Sequence, residues 1–491
     1  MPSAPPITFL VSGLPGGTRT GTAPGPGTPG QAPTGGLPGI VKASVRVGAR
    51  RAAGGAVRMV AVPGEDVVVL HVANGPALVL HPENARDLLL GQSRQTRSAG
   101  PAGDAPDVVT VPAQLRWTGL EQAAPVHTRG LLGDVLLHTV EVLTGLPKDE
   151  ALRFAAGRVV AKIDAGVDPG LYTLAADALA PLKGSGRRVH ALAPAEGPLL
   201  VLLHGSFVDT ASTFGALWAL HPSPVRALFA HYGGRVYGFD HPTLGQGPIE
   251  NALALAEALP AGARLHLLTH SRGGLVAEVL ARACGDDEDA VADAAIADAF
   301  AGRAQAIQRE ALRRLHAVAR TKRLRVERVV RVACPARGTL LASRRLDAYL
   351  SVLRWGLELA GVPVAPALVD LLVAFARRRE DPRQIPGLEA MLPDSALIRW
   401  LNRVGTPLPG ELRVVAGDLE GDSLGSWVKT LLADAFYWTD NDLVVQTRSM
   451  YGGAPRRDGA AFVLDQGGKV SHFAYFANPR SAEAVVGALL Q

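Results

Sequence analysis

The stretch ARLHLLTHSRGGLVAEVLARAC, Ala263 to Cys284, passes from an apolar strand-like run through Thr269-His270-Ser271-Arg272-Gly273 into a helical pattern on Leu275, Val276, Val279 and Leu280. A serine hydroxyl becomes a useful nucleophile only when a base takes its proton, so the serine must stand clear of its own backbone. A sharp strand-to-helix turn achieves this, and small residues flank it because bulky ones collide with the neighbouring strands and helix, hence the pattern Gly-x-Ser-x-Gly. Here the second small position is Gly273, but the first is Thr269. On these residues alone Ser271 reads either as a nucleophile or as a plain N-cap.

The rest of the chain supplies what a serine nucleophile requires. A tetrahedral intermediate needs two backbone N–H donors, one following the nucleophile and one from a loop after an earlier strand. His204-Gly205-Ser206, after the apolar run ending LLVLL, offers that loop, which makes the amides of Ser206 and Arg272 the candidate oxyanion donors. The base should follow the last strand, and His472 is the only histidine after His316. The acid that orients it is expected in WTDNDLVVQTRSM, with Asp442 preferred over Asp440 because the apolar pair behind it can anchor the loop. Asp418 and Asp422 are competitors near the end of the preceding strand. Asp240-His241, in the FDHPTLGQGP loop, lies on the same expected edge and either orients substrate or ties loops together.

These residues sit in a chain whose rhythm changes near residue 190. Residues 1–40 are expected to be a flexible segment, because Gly13 to Gly39 is rich in Gly, Pro and Thr without a strict repeat. Residues 41–190 read as a β-rich domain of unknown role, with a meander from Val57, further strands at Asp107 to Trp117 and Gly157 to Gly166, and one helix near Leu131 to Leu143. From 191 to 491 compact apolar runs alternate with helical patterns, at Pro198 to Ser206, Gly234 to Pro242, Ala263 to Ser271, Val326 to Pro335, Glu411 to Asp418 and Ala460 to Gly468. That alternation predicts a mostly parallel central sheet covered on both faces, with loops gathering a site at the strands' C-terminal ends. Helical insertions are expected at about 285–325, acidic at its start and basic at its end, and at about 340–410, whose apolar helices either form a cap over the sheet edge, the preferred reading, or pack as peripheral helices.

Composition excludes several classes. At 491 residues and 47% hydrophobic content the chain has material for more than one folded core. A formal charge of +5 with scattered arginines argues against nucleic acid as the main partner. Two cysteines, Cys284 and Cys334, exclude a disulfide framework and offer no metal spacing, so neither metal nor other cofactor is expected. The N-terminus lacks the charged region of a signal peptide, and no apolar run spans a bilayer, so a cytoplasmic location is the expectation.

From residue 195 onward the segments LLHGSF, YGFDHPTLGQGPIENA, LLTHSRGGLVAEVLAR, VVRVACPARGTLLAS, LPDSALIRWLN, TDNDLVVQTRSM and KVSHFAYFANP occur in order. In this the chain resembles the lipase-like branch of the α/β-hydrolase superfamily, including bacterial domains related to GPI-inositol-deacylase-like lipases. The resemblance implies an α/β-hydrolase fold with helical cap insertions after a β-rich N-terminal domain. It also implies Ser271 as nucleophile, His472 as base, Asp442 as acid, and Ser206 and Arg272 as oxyanion donors. Two departures are Thr269, where a glycine is usual, and Ala336 in CPARGT, where a histidine is common. The implied activity is hydrolysis of a carboxylic ester, an acyl lipid or other hydrophobic ester, through an acyl-serine, with room for peripheral contact with a membrane. Acyl transfer by the same triad and a non-catalytic interaction module are the alternatives.

Overall fold

The computed structural model describes residues 5–16, 19–20, 37, 39–48, 56–73, 77–96, 108–112, 114–115, 135–145, 149–194, 196–285, 289–339, 346–359, 361, 364, 366–378, 382–403, 405–418, 442, 444–445, 447–466 and 471–491. Strands and helices are both abundant, so the class is mixed α/β. The chain forms two compact units, residues 1–159 with 343–381 and 422–438, and residues 160–342 with 382–421 and 439–491.

The first unit contains two sheets. Strands β1 (Ile7–Val11), β2 (Gly13–Gly16), β3 (Arg19–Thr20), β4 (Ile40–Val47), β5 (Val57–Ala61), β6 (Val67–Val72), β7 (Ala77–Leu80), β8 (Val108–Val111), β9 (Gln114–Leu115) and β10 (Val135–Thr144) follow in chain order. One sheet runs β5-β1-β8 and the other β2-β4-β10-β6-β7, with β3 on β4 and β9 on β10.

Three expectations are corrected in this region. The first residues are not all a flexible segment. The apolar Ile7, Phe9 and Val11 are buried, with β1 between an antiparallel and a parallel neighbour. Gly13 belongs to β2, where a Cβ would lie 2.1 Å from the Arg46 carbonyl oxygen, so glycine here permits close strand approach. Residues 21–36 lie outside the described set. The helix expected near Leu131 to Leu143 is the strand β10, whose Val140 and Val142 are fully buried between β4 and β6. β-branched residues suit that pleated surface. The strand expected at Gly157 to Gly166 is instead the end of the helix Asp149–Asp164, with Lys162 in its last turn, as the helix dipole favours.

The apolar helices expected as a cap, Leu346–Leu359 and Pro366–Arg378, belong to the first unit. The N–H of Val79 on β7 donates to Ser351 Oγ at 3.0 Å and the His81 N–H to Asp347 Oδ2 at 2.8 Å. These helical side chains take up edge N–H groups that would otherwise face solvent or another chain.

The second unit is built on a seven-stranded sheet, in the order β11-β13-β12-β14-β15-β16-β17. Its strands are β11 (Gly170–Thr173), β12 (Leu199–Leu203), β13 (Val236–Asp240), β14 (Arg264–His270), β15 (Arg325–Val332), β16 (Glu411–Asp418) and β17 (Ala460–Gln466). Every neighbouring pair is parallel except β11 with β13. β12, wholly apolar as LLVLL, and β13, apolar up to Asp240, are buried along their whole lengths, as a sheet covered on both faces requires. Parallel pairing brings the C-terminal ends of β12 to β17 to one edge, which collects the turns after Leu203, Asp240, His270 and Val332. The 285–325 insertion forms the helices Asp289–Ala299 and Ala306–Lys322, the latter burying Leu312, Leu315 and Ala319. Among the described residues no helix is long and apolar enough to cross a membrane.

Candidate active site

Ser271 follows the last residue of β14, and the helix Gly273–Ala283 begins two residues later. Its backbone is left-handed at φ 53°, rare for a residue with a Cβ and costing about 1–3 kcal/mol. The turn is held by Ser271 N–H on the Val332 carbonyl at 2.9 Å and Gly274 N–H on the Ser271 carbonyl at 3.0 Å. The two glycines are steric necessities. A Cβ on Gly273 would lie 2.3 Å from the Leu203 carbonyl oxygen, and one on Gly274 2.5 Å from Cys334 Sγ. Gly273→Ala therefore should destabilise the fold by about 1–3 kcal/mol, measurable by urea unfolding, since the obstacle is backbone of β12 that has no room to give. Thr269, the departure from glycine, is fully buried and its hydroxyl donates to the Val330 carbonyl at 3.3 Å. Its side chain has space beside β15, and the sharp turn at Ser271 is present with threonine in place.

His472 and Asp442 come together although thirty residues separate them. His472 Nδ1–H donates to Asp442 Oδ2 at 2.8 Å, and His472 N–H to the Asp442 carbonyl at 2.9 Å. Asp442 is fully buried; its Oδ1 accepts from the N–H groups of Val444 at 3.1 Å and Val445 at 2.8 Å, and its Oδ2 also accepts from Tyr475 O–H at 2.9 Å. Burial pushes its pKa up, but His472 and these donors outweigh burial and hold the carboxyl below its usual range. Burial and Asp442 together raise Tyr475 well above the ordinary phenol value, so it stays a donor. Of the competing carboxylates, Asp418 ends β16, where it is buried, and Asp422 and Asp440 lie outside the described residues. Tyr475 is not among the site residues that the motifs point to; its place three residues after His472 is the signal that marks it.

Ser271 and His472 are connected through His270, whose Nε2 is 2.7 Å from the His472 carbonyl oxygen and whose ring centroid lies 4.8 Å from that of His472. Among the described residues no hydrogen bond joins Ser271 Oγ directly to His472. Ser271 is 7% exposed and His472 2%, so both lie in a largely water-excluded setting.

The loop after β12 approaches the serine at Gly205, where a Cβ would be 3.0 Å from Ser271 Cβ. His204 Nδ1–H donates to the Gly205 carbonyl at 2.9 Å, while Nε2 accepts from His241 N–H at 3.2 Å. The two imidazoles stack at 4.1 Å, and burial lowers the pKa of each. Asp240 accepts from both the N–H and the hydroxyl of Thr210, at 3.0 and 2.6 Å. Asp240 and His241 thus tie loops together. Phe207 is also left-handed, at φ 65°, and its N–H donates to Thr243 Oγ1 at 3.2 Å. Among the described residues the amides of Ser206 and Arg272 have no protein acceptor.

Arg272 carries a fully buried side chain whose Nη2 donates to the Gln246 carbonyl at 2.6 Å and Asn251 Oδ1 at 2.9 Å. Burial pulls its pKa down to about 10. Met391, from the turn after the helix Pro386–Glu389, places Sδ 4.0 Å from Ser206 Oγ and is itself buried. That turn is tied to its neighbours by Gly387 N–H on the Leu244 carbonyl and Thr339 N–H on the Met391 carbonyl. Met391 therefore sets an apolar side chain beside Ser206. Among the described residues no cluster of His, Cys, Asp or Glu is arranged to hold a metal ion.

The family model described as Domain of unknown function (DUF7379) matches residues 180–297 and 298–490, more than half of the chain. No curated protein matches the sequence. Solved structures with some likeness are lipases, esterases and thioesterases. EstA from Clostridium botulinum is 13% identical, with 68% of this chain and 97% of that chain covered and a TM-score of 0.40. The Staphylococcus hyicus lipase is 13% identical, with 61% and 95% covered and a TM-score of 0.35. The Bacillus licheniformis lipase BlEst2 in mature form is 15% identical, with 58% and 91% covered and a TM-score of 0.27.

Proposed function

We propose, for a chain that belongs to the DUF7379 family, that its second unit has an α/β-hydrolase fold and is a serine-dependent hydrolase of carboxylic esters. The strand order, with β11 antiparallel at one edge and β12 to β17 parallel, supports the fold assignment. The observation that carries the activity is the His472–Asp442 pair, bonded at 2.8 Å and coupled through His270 to a serine on a strained strand-to-helix turn.

In this reading Ser271 Oγ attacks the ester carbonyl carbon while His472 Nε2 takes the hydroxyl proton. The amides of Ser206 and Arg272 receive the developing oxyanion. Collapse breaks the bond to the alcohol, which leaves with the proton that His472 held, and an acyl-serine remains. Water, deprotonated by His472, attacks the acyl carbon and releases the acid, returning the proton to Ser271. Asp442 holds His472 with Nδ1 protonated and Nε2 free to accept, and stabilises the imidazolium. The buried Met391 side chain beside Ser206 supports a hydrophobic acyl group.

The test is labelling by a fluorophosphonate, which phosphonylates an activated serine. The wild type should be labelled on Ser271, and the Ser271→Ala variant should lose the label entirely. An unlabelled wild type that hydrolyses no ester in a panel of acyl lengths would overturn the proposal.

A further inference from the structure

We infer that His270 is a positioning residue, one that holds the base in register with the nucleophile by gripping the main chain of His472. This inference rests on the roles proposed above for Ser271 and His472.

A carbonyl oxygen only accepts, so the 2.7 Å contact makes His270 Nε2 the protonated nitrogen. His270 Nδ1 then carries a lone pair; it is buried without a partner and faces the Gly205 turn, where a Cβ would stand 3.3 Å away. His472 is consequently held on three sides. Its N–H is bound by the Asp442 carbonyl, its Nδ1–H by Asp442 Oδ2, and its carbonyl by His270. The first two bonds fix the base to the acid, and the third ties that pair to His270, the last residue of the strand before the nucleophile.

The surroundings keep the third bond in place. His270 is 4% exposed and packs its ring near Phe476 and Tyr475, at 5.8 and 6.4 Å between centroids. Burial, reinforced by the neighbouring His472, lowers its pKa to about 3. A neutral His270 adds no positive charge beside the imidazolium that His472 becomes during turnover. Its ring neighbours His472, Tyr475 and Phe476 set its orientation.

The test compares three variants with the wild type on a 4-nitrophenyl ester and in the rate of fluorophosphonate labelling. His270→Phe preserves a ring but removes the donor, and a resulting misplacement of the base by about 1 Å should lower kcat and labelling rate about 100-fold with KM little changed. His270→Gln carries an amide N–H close to the position of Nε2 and should recover most of the loss. His270→Asn is too short to reach and should behave like His270→Phe. Full kcat in His270→Phe, or no recovery in His270→Gln relative to His270→Asn, would overturn the positioning role while leaving the ester-hydrolase reading intact. Failure of the wild type itself to label or turn over would instead remove that reading. Nitrogen-15 histidine spectra of the wild type supply a check that needs no variant. They should report His270 neutral with its proton on Nε2 at neutral pH, and an Nδ1–H tautomer at His270 would overturn the inference.

Discussion

Asp442→Asn is expected to lower kcat by about 10⁴-fold with KM nearly unchanged, the size of effect that a wrong imidazole tautomer produces in Ser-His-Asp chemistry. The hydrogen bonds around the carboxylate give the reason. Oδ1 faces two backbone N–H groups, those of Val444 and Val445, which cannot rotate to accept. An asparagine at this position must therefore turn its carbonyl oxygen toward them and place its NH2 where Oδ2 now stands. Tyr475 can rotate its hydroxyl to accept, but His472 can accept only by giving up the proton on Nδ1. The proton then moves to Nε2, and the base has no lone pair for the serine. Because the shape of the side chain is kept, folding should change little, which separates this effect from general damage. Steady-state kinetics on a soluble ester would measure it. An Asp442→Asn enzyme within tenfold of the wild type would mean that another carboxylate orients His472, to be sought among Asp418, Asp422 and Asp440.

Glu278→Ala should cost about 3–5 kcal/mol of stability, because it leaves two buried guanidinium groups without their counter-charge. Glu278 lies in the helix after Ser271 and is 1% exposed. Its Oε1 accepts from Arg331 Nη1 at 2.8 Å and its Oε2 from Arg456 Nη2 at 2.8 Å. Arg331 also donates to the carbonyls of Met450 and Gly452, at 2.8 and 2.6 Å, and Arg456 to that of Ala454 at 2.8 Å. The cluster thus fastens the segment after Asp442 to the helix and to β15. Burial alone would raise the Glu278 pKa, but the two arginines reverse that and leave it lowered. A lowered folded value means that its contribution is fully present above the unfolded pKa of about 4.3 and is lost as pH falls through the folded value. Urea unfolding at neutral pH should show the loss in Glu278→Ala, and the gap to the wild type should narrow on acidification. A loss below about 1 kcal/mol would mean that water or another carboxylate reaches the arginines.

Structure departs from sequence expectation where short apolar runs have more than one solution. LLGDVLLHTVEVL carries enough apolar residues for a helical face or a strand, and pairing with β4 and β6 decided for β10. Ile7 to Val11 is too short to announce itself, yet it is the middle strand of its sheet. The helices Leu346–Leu359 and Pro366–Arg378 were legible as amphipathic elements, but not as part of the first unit. Helical periodicity states that a face must be buried without naming the surface that buries it.

By itself the sequence determined the alternation of strand and helix after residue 190, the strand-to-helix turn at Ser271 and the order in which serine, carboxylates and histidine occur along the chain. Each of these is local, set by side-chain period or by the need for glycine where backbones press together. Tertiary structure alone decided that Thr269 fits beside β15, that Asp442 rather than a described competitor bonds His472, and that Tyr475 and His270 complete the grip on that pair. Those contacts are made between loops that meet at one sheet edge only because parallel pairing aligns the strand ends. A hydrogen bond across such an edge depends on distances of a few tenths of an ångström that no spacing along the chain encodes.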